Sequence, residues 1–523
     1  MRRLCKVGHA LACPAGRNGG GGNPLRPWAV VPLLFVLAAA FGGESRPAKG
    51  PGCTTATMID WDCDGYGPGS PLGPDADDQD PAVNTPATAL AKYGNTAALL
   101  AHLGYRPQRR IYIAIDGNDA HGRPDDEARP YRSWEHVGEM VKAGDAVIWR
   151  AGTYPDHPVL ATSGTTAKPI VLMAYPGEKV ILDQRLNGIE FVGQSNIVID
   201  GLILQNTVNG LGEGVFFGDP SSNVTFRNVE VRQRARGMLG MNGLANILIE
   251  HSVFHDTTLE HGIYLGAREK PNSNITLRHN LIYGASYNGF QHNGRVTGMV
   301  VESNIIHSNT LSALSFTEGV SDTVVSDNLM FGNGRNCLVL FDYPGDHASH
   351  IDPWDQKNIA FVNNTCWVGG KDPAGADISQ PAIAIDSGGF PVSFDNLKFV
   401  NNIFVTQSYS IFRFVQGQYM KTATIRSNVL WDSGGEAYVN VNGADDDFAA
   451  LDAGDDRKGG NVKRDPLFRA VDPAWYKKPE NYDFTLREDS PAIGLALASD
   501  APPTDLTRRP RGTEPDAGAY QAR

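Results

Sequence analysis

The chain has 523 residues, a formal net charge of −12 and a pI near 5.5. This length suffices for a large buried core. The acidic balance argues against a nucleic-acid partner, which would favour a basic patch. A dispersed negative charge mainly keeps a protein soluble, so it does not identify a substrate.

Residues 1–45 have the pattern of a targeting segment. The apolar run WAVVPLLFVLAAAF (28–41) follows a stretch that contains several arginines and one lysine. The run is short for a membrane span and is followed by small residues, as in a secretory signal peptide. The pattern predicts export into the cell envelope or beyond it, with the segment either cleaved or retained as an N-terminal anchor.

Residues 46–90 form an Asp-rich segment with the spacing of a calcium loop. Asp60, Asp62 and Asp64 alternate before Gly65, so that alternate side chains converge on one ion and the glycine permits the sharp turn. A second acidic group follows and consists of Asp75, Asp77, Asp78 and Asp80. The segment resembles the calcium-binding repeats of thrombospondin type 3, although it lacks the glutamate that closes an EF-hand loop. We expect structural calcium in a spacer between the leader and the next domain; the alternative is an acidic disordered linker.

From about Asn196 to Trp431 a strand-forming phrase returns every 23 to 28 residues. Between its copies runs a second apolar phrase that begins at or just after a small residue. A period of this size indicates stacked coils, because no single coil can bury its own apolar side. Propeller blades need about 40 residues or more, so the period predicts an all-β fold, a right-handed parallel β-helix, with its repeats at 181–435. Copies of the first phrase are NVTFRNVEV (223–231), NILIEHSVF (246–254), NITLRHNLIY (274–283), GMVVESNII (298–306) and DTVVSDNLM (322–330).

Small polar side chains recur at one offset in successive copies of the first phrase. Stacked at a bend, such side chains can hydrogen-bond one another and satisfy buried backbone groups, which predicts an asparagine ladder. A second column alternates in charge and predicts an ion-pair ladder on an outer face, with each exposed pair contributing about 0.2–1 kcal/mol. The first column contains Ser252, Asn280, Asn304, Asn328, Asn364, Asn402 and Asn428, and the second contains Asp200, Arg227, Glu250, Arg278 and Glu302.

These repeats resemble the secreted right-handed β-helix proteins of the pectate-lyase-like superfamily, over roughly residues 110–520. Residues 111–160 resemble the opening segment of that family, with a strand, a Gly/Asp loop, a capping helix and then G-D-x-V and G-T-Y. The resemblance implies an N-terminal cap and first coils at 91–180, and C-terminal coils and a cap at 436–523. It also implies a polysaccharide or a cell-surface glycan as partner. It does not choose the reaction, since the superfamily contains lyases, hydrolases, epimerases and binding proteins.

Strand alternation assigns faces to the second phrase. The column Val215, Met238, Ile263, Phe290, Leu314 and Leu338 should point inward, and the column Phe216, Leu239, Tyr264, Gln291, Ser315 and Val339 should point outward. A cluster of chemistry-bearing residues should therefore gather on one outer patch. We assign catalytic roles to His261, Tyr264, Arg236 and Arg268, and substrate contacts to Glu213, Asn288, Gln291 and Lys270.

The chemistry expected of this patch follows from the resemblance by role and not by a matched motif. Cleavage or epimerisation of a uronate needs a base for the C5 proton, a cation for the carboxylate and an acid for the leaving oxygen. His261 with Tyr264 would be base and acid, and Arg236 or Arg268 the carboxylate partner. A hydrolase would instead need two flanking carboxylates, for which Glu213, Glu260, Glu318 and Asp342 are candidates. A non-catalytic protein that holds glycans along this face is the other hypothesis, and either protein is expected to be a monomer.

The cysteines outside the leader allow two local pairs, Cys53 with Cys63 and Cys337 with Cys366. Two disulfides would suit an oxidising compartment. For Cys337 and Cys366 the alternative is a pair of reduced, buried small residues.

Overall fold

The computed structural model describes residues 54–341, 355–388, 392–407, 409–434, 439–446 and 458–522. Over these residues the chain is a right-handed parallel β-helix of about eleven turns, and the predicted fold class is confirmed. Each coil contributes strands to three faces, and each strand pairs in parallel with the corresponding strand of the next coil.

The glycine-start face carries the second apolar phrase. Its strands are β6 (Ile189–Val192), β9 (Glu213–Gly218), β12 (Arg236–Met241), the first part of β15 (Ile263–Arg278), the first part of β17 (Phe290–Glu302), β19 (Leu314–Thr317), β22 (Leu338–Phe341), β25 (Ile383–Asp386), β28 (Phe412–Phe414) and β31 (Val439–Val441), which pairs antiparallel with β32 (Ala444–Asp446).

The ladder face carries the first phrase. Its strands are β1 (Arg109–Ile113), β2 (Asp145–Trp149), β4 (Ile170–Ala174), β7 (Ile197–Asp200), β10 (Ser222–Arg227), β13 (Ala245–Glu250), the last parts of β15 and β17, β20 (Val320–Ser326), β23 (Gln356–Val362), β26 (Phe394–Val400), β29 (Thr424–Arg426) and β33 (Lys458–Gly459).

The third face is a separate sheet. Its strands are β3 (Gly152–Tyr154), β5 (Val180–Asp183), β8 (Leu202–Gln205), β11 (Glu230–Arg232), β14 (Val253–His255), β16 (Leu281–Tyr283), β18 (Ile305–His307), β21 (Leu329–Phe331), β24 (Thr365–Val368), β27 (Ile403–Thr406) and β30 (Val429–Asp432). A short antiparallel pair, β34 (Phe468–Ala470) and β35 (Asp483–Leu486), belongs to the C-terminal segment. The α-helices in the described residues are α1 (Pro86–Tyr93), α2 (Thr96–His102), α3 (Trp134–Gly138) and α4 (Gly417–Thr422).

The interior of the coils is apolar, as strand alternation predicts. Val215 pairs with Met238, Met238 with Ile263 and Ile263 with Phe290 in one continuous register. All four side chains are fully buried. Because a one-residue slip would turn this whole set outward, the pattern fixes the register of the coils.

The predicted asparagine ladder is present and lies at the bend between the ladder face and the third face. Asn304 Oδ1 accepts the backbone N–H of Asn280 at 2.9 Å, and Asn304 Nδ2 donates both to the Leu277 carbonyl and to Asn328 Oδ1. The same pattern repeats from Ser252 to Asn428 and continues one coil further, to Asn461. Buried polar groups are costly unless they are paired, so the ladder makes this buried bend possible.

The residue before each ladder position has a left-handed backbone. His251, His279, Ser303 and Asp327 have φ between 50° and 53°. Asparagine, aspartate and histidine tolerate this conformation better than most residues do. The bend is therefore encoded by a pair of residues in each coil, the left-handed one and the ladder one.

The predicted ion-pair ladder is present at Glu250, which is buried, whereas its two arginine partners are each about a third exposed. Glu250 is 2% exposed and pairs with Arg227 at 2.6 Å and with Arg278 at 2.7 Å. The pKa of Glu250 is held well below its usual range, because the two arginines outweigh the opposing effect of burial. At the start of the column, Asp200 accepts a hydrogen bond from the Tyr105 hydroxyl. Tyr105 lies between α2 and β1, so this bond ties the N-terminal segment to the ladder face.

The Asp-rich segment packs against the solenoid, so its interpretation as a spacer is wrong for the described residues 54–90. The Trp61 ring lies 3.9 Å from the ring of His251 and contacts His279, and the Ala56 carbonyl lies 2.7 Å from His307 Nε2. Arg508 of the C-terminal segment stacks over Trp61 at 3.3 Å. Burial of apolar surface explains this docking, and local sequence patterns could not reveal it.

One cysteine pair is settled by the structure. Cys337 and Cys366 form a disulfide. Cys53, the residue expected to pair with Cys63, lies outside the described residues, as does the apolar run 28–41. Among the described residues, none of the helices is long and apolar enough to cross a membrane.

Candidate functional site

The glycine-start face carries the residues that sequence analysis assigned to the site. Phe216, Leu239, Tyr264 and Gln291 lie in one outward column on consecutive coils, and each pairs in register with the next. All four side chains are partly exposed. Adjacent coils bring these side chains to within about 5 Å of one another along the solenoid.

Arg236 does not present a free charge to a ligand. Its guanidinium donates to Glu213 Oε1 at 2.7 Å and to Glu260 Oε2 at 2.6 Å. Burial opposes its protonated form, yet hydrogen bonds to Glu260 and the charge of Glu213 raise the pKa of Arg236. Burial raises the pKa of Glu213, and the charge of Arg236 works against that effect. Two protein carboxylates already neutralise Arg236, so its role as the partner of a substrate carboxylate stays a prediction and would require the substrate to compete with them.

His261 is buried, contrary to the open position that a catalytic base requires. It is 4% exposed, and its Nδ1 accepts the backbone N–H of Asn288 at 3.3 Å. Its ring stacks on Tyr264 at 5.3 Å and meets the edge of Tyr287 at 5.2 Å. Burial lowers the pKa of His261 to about 4, against the opposing charge of Glu260. A neutral, weakly basic and inaccessible imidazole fits a positioning role better than that of a general base.

Tyr264 is the accessible member of the predicted acid–base pair. Its ring is partly exposed, and its hydroxyl accepts a hydrogen bond from Asn293 Nδ2 at 3.1 Å. Asn293 follows Gln291 on the same strand, so two coils together hold the hydroxyl. The structure therefore leaves a phenol at the centre of the patch, with His261 packed behind it.

The other residues predicted to act on or bind substrate lie either within the patch or at its edge. Asn288 is 5% exposed, donates to Gln291 Oε1 at 2.9 Å and accepts the Ser312 N–H. Its direct contact with substrate stays a prediction. Lys270 lies in the irregular part of β15, where the register shifts between Ala267 and Asn272, and pairs with Asp219 at 2.6 Å. Arg268 is exposed in the same part of this strand.

The carboxylates considered for a hydrolase do not form an open pair in the described part of the chain. Glu213 and Glu260 both bind Arg236. Glu318 is 1% exposed. Asp342, its expected partner, lies outside the described residues.

The Asp-rich segment brings five of its seven predicted ligands together. Carboxylate oxygens of Asp60, Asp62 and Asp78 converge within 4.8 Å of one another, and so do those of Asp62, Asp64 and Asp75. Asp64, Asp75 and Asp78 each use one oxygen to accept a backbone N–H. The second oxygen of each of these three, and both oxygens of Asp62, are buried without a hydrogen-bond partner.

Electrostatics show that this carboxylate cluster fits a cation. Burial, reinforced by neighbouring aspartates, raises the pKa of Asp62 to about 6 and that of Asp75 to about 8. Burial likewise raises the pKa of Asp78 well above its usual range. Calcium prefers several oxygen ligands that converge on one point. The ionised carboxylates repel one another here, and a bound cation would offset that repulsion.

The other two predicted ligands, Asp77 and Asp80, are not part of the cluster. Asp77 accepts hydrogen bonds from the Tyr93 hydroxyl at 3.0 Å and interacts with His102 Nε2 at 2.8 Å. Asp80 pairs with Lys92 of α1. Both carboxylates attach the segment to the helices that follow it, and their role as metal ligands stays a prediction.

Sequence analysis missed a polar cluster on the third face. Glu230 Oε1 accepts from Arg232 Nη1 at 2.6 Å and lies 3.3 Å from His255 Nε2, whose Nδ1 lies 2.8 Å from Asp256. Burial disfavours the charged form of His255, but its carboxylate partners raise its pKa. The sequence did contain a signal for this cluster. A short third-face strand follows each ladder position, and Arg232, His255 and Tyr283 occupy the same position in consecutive strands.

Comparisons with known proteins agree with this architecture. Residues 187–365 match the family described as the right handed beta helix region. A stretch of 134 residues is 25% identical to the Uncharacterized protein YwoF of Bacillus subtilis, over 23% of this chain and 28% of that protein. A stretch of 76 residues is 41% identical to Pectate lyase PEL9 of Emericella nidulans, over 14% of this chain and 18% of that protein. The matches thus span less than a third of the length of either relative.

Among solved structures, the crystal structure of pectate lyase Pel9A superposes with a TM-score of 0.51. The superposition covers 80% of this chain and 98% of that chain, at 16% identity. Similarity at this level concerns the fold alone.

Proposed function

We propose that this protein is an exported, polysaccharide-acting β-helix protein that holds a glycan along its glycine-start face. The observation that carries the proposal is the open column of aromatic, apolar and amide side chains on consecutive coils, centred on Tyr264 and Gln291. Tyr287, which is 47% exposed, extends this surface on the adjoining loop. Aromatic rings beside a few placed polar groups are typical of ligand surfaces.

For the reaction we propose proton transfer at a uronate, as in a lyase or an epimerase, with hydrolysis as the remaining possibility. The 76-residue match to a protein named pectate lyase supports ranking proton transfer above hydrolysis. Tyr264 would move the proton at its hydroxyl, held in place by Asn293 and by the buried His261. Arg268, which is exposed beside the patch, is the second cation that we propose to face the substrate carboxylate.

A panel of acidic and neutral polysaccharides would test this proposal. Elimination produces unsaturated uronates, which absorb ultraviolet light, whereas hydrolysis produces reducing ends without that absorbance. Tyr264→Phe keeps the ring that packs on His261 but removes the hydroxyl, so turnover should fall about a hundredfold or more. Tyr476→Phe, a half-buried tyrosine of the C-terminal segment outside this surface, is the control and should leave turnover unchanged. Equal turnover in wild type and Tyr264→Phe would contradict the assigned role.

A second candidate function is glycan binding without catalysis. It is favoured by the burial of His261 and by the two carboxylates that neutralise Arg236, because these contacts remove the strongest base and cation from the patch. On the same panel, binding without any product would select this function.

We further propose that Asp60, Asp62, Asp64, Asp75 and Asp78 hold structural calcium. When bound, calcium would supply the positive charge that keeps these carboxylates ionised at neutral pH. Calorimetric titration of the whole protein should show saturable calcium binding that is lost in Asp62→Asn/Asp75→Asn. Asp80→Asn is the matched control, since this aspartate pairs with Lys92 outside the cluster, and it should bind as wild type does. Binding that survives in the double variant would contradict the ligand set.

The proposed site of action is the cell envelope or the exterior of the cell. The apolar run 28–41 and the disulfide between Cys337 and Cys366 support export, because disulfides persist in oxidising compartments. Localisation of the full chain by cell fractionation, with processing of residues 1–45 checked by mass spectrometry, would test this.

A further inference from the structure

The bend that carries the asparagine ladder is covered by two segments that lie far apart in the chain. Trp61 of the Asp-rich segment packs on His251 and His279, two left-handed residues of the bend. Further along the solenoid, the left-handed residues Asn363 and Asn401 donate hydrogen bonds to backbone carbonyls of residues 490–522, the C-terminal segment. The same position in successive coils therefore binds both segments.

The C-terminal segment has its own attachment to the coils, a buried ion pair. Arg511 pairs with Asp327 of the bend at 2.6 Å, and both side chains are almost fully buried. Arg511 also donates to the carbonyls of Asp516 and Gly518. Breaking a buried ion pair is strongly unfavourable, so this part of the segment is held without help from the Asp-rich segment.

The two segments meet where Arg508 stacks on Trp61. The guanidinium carbon lies 3.3 Å from the centre of the Trp61 ring, and Nη2 donates to the Trp61 carbonyl at 3.4 Å. A cation over a tryptophan ring is attracted by the ring, most strongly where water is excluded. Burial lowers the pKa of Arg508 to about 10, against the opposing charge of Asp78. Trp61 thus holds the C-terminal segment through both its ring and its carbonyl.

Both segments also belong to one apolar cluster on the third face. Ile59 of the Asp-rich segment and Ala517 of the C-terminal segment are buried in the same cluster as Ile305 and Leu329 of the solenoid. Burial of apolar surface favours docking of each segment. Because the two segments bury one shared cluster, release of either one exposes surface that the other helps to cover.

Trp61 is fixed in turn by the proposed calcium ligands. It lies between Asp60 and Asp62 in the chain, and its backbone N–H donates to Asp78 Oδ1 at 3.0 Å. Carboxylate oxygens of these three aspartates converge within 4.8 Å of one another. Asp78 Oδ2 and both oxygens of Asp62 are buried without a hydrogen-bond partner. A cation bound there would hold the residues on either side of Trp61 and the carboxylate that accepts its N–H.

We infer that calcium closes a clasp between the two segments: the ion fixes Trp61, and Trp61 holds the C-terminal segment on the third face through Arg508. The inference rests on the calcium ligands proposed above and adds the segment that the ion controls. Such coupling is reciprocal, because whatever calcium adds to docking of the C-terminal segment, docking adds to calcium affinity. Without the ion, the C-terminal segment opens locally while the coils stay folded.

Amide hydrogen exchange of the intact protein, measured by mass spectrometry in calcium and in chelator, tests the inference. Calcium should slow exchange in peptides from 490–522 at least tenfold, over the concentrations at which calorimetry detects calcium binding. Over minutes of exchange, peptides from β17 and β19 should stay protected in both conditions. Calcium binding without any change in 490–522 would overturn the inference and leave the ligand set standing. Absence of calcium binding would overturn both.

Two arginine variants test the contact that joins the segments. Arg508→Ala should still bind calcium, but exchange of 490–522 should be as fast as in chelator-treated wild type whether or not calcium is present. Arg509→Ala removes an equal charge one residue along, where the backbone bonds with Asp505, and should keep the tenfold protection. Equal protection by calcium in Arg508→Ala and wild type would overturn the role of Arg508. The wild-type comparison decides the inference even if Arg508→Ala fails to fold.

Discussion

The ladder face and the glycine-start face are built by the same repeat but are used differently. On the ladder face the outward column is charged, and its centre is buried, with Glu250 only 2% exposed between two arginines. On the glycine-start face the outward column is aromatic, apolar and amide, and it stays partly exposed. Ionic contacts fix register and orientation, while an open aromatic and amide surface remains available for a ligand. The contrast separates residues that hold the solenoid together from residues that can act on a substrate.

The largest expected effect is on the asparagine ladder, which lies at the bend between the ladder face and the third face. Asn328→Ala removes an acceptor for two groups of Asn304 and a donor to the Val301 carbonyl. Each buried group left unpaired costs about 1–3 kcal/mol, so the free energy of unfolding should fall by about 3 kcal/mol or more. Denaturant unfolding monitored by circular dichroism would measure it. The control Asn246→Gly loses two exposed hydrogen bonds, one to Asn223 and one from Asn274, and should cost less than about 1 kcal/mol because water can replace exposed partners.

Removal of the cation from the Asp-rich segment should have the next largest effect, and its sign depends on pH. Without calcium the folded-state pKa values of Asp62 and Asp75 are raised to about 6 and about 8. The folded state then binds more protons than the unfolded state, so stability is lost as pH rises through this range. In chelator the Tm should fall between about pH 5 and pH 8. Calcium at a hundredfold excess over Kd should restore about 2.7 kcal/mol, and a Tm that ignores both pH and calcium would contradict the site.

A moderate effect is expected where the ladder face is charged. Glu250→Gln leaves Arg227 and Arg278 without their shared carboxylate, which costs 3–5 kcal/mol in a fully buried pair. Because both arginines are about a third exposed, we expect about 2 kcal/mol. The depressed pKa of Glu250 means that its contribution is present at neutral pH and is lost as pH falls below its unfolded value. Wild type and variant should therefore converge in stability in strong acid.

The smallest effect should come from the margin of the glycine-start face. Lys270 and Asp219 are each about half exposed, and exposed pairs contribute about 0–1 kcal/mol. Lys270→Ala should change the Tm by less than about 2 °C, and salt should remove the difference. A loss as large as that of Glu250→Gln would mean that this part of β15 belongs to the structural core.

Features that recur in successive coils could be predicted from the sequence. The strand pattern, the register, the asparagine ladder and the alternating charges each appear several times in one chain, so a single sequence is enough to recognise them. The docking of Trp61 on His251 joins segments 190 residues apart along the chain, and no local pattern encodes such a contact. His261 is polar and lies beside an outward column, but Tyr287 of the next coil covers it. Arg236 lies on the predicted face, but its ion pair with Glu260 could not be predicted, because Glu260 lies outside the repeat phrases.

The central claim is that the glycine-start face holds the polysaccharide, and binding by matched double variants tests it most directly. Polygalacturonate is the first probe, followed by any glycan that gives a stronger signal in the panel. Tyr264→Ala/Gln291→Ala should weaken binding at least tenfold with little change in Tm. Thr297→Ala/Lys357→Ala, which removes exposed side chains from the ladder face, should bind as wild type does. Equal affinity in the two double variants, or loss only in the ladder-face variant, would contradict the account.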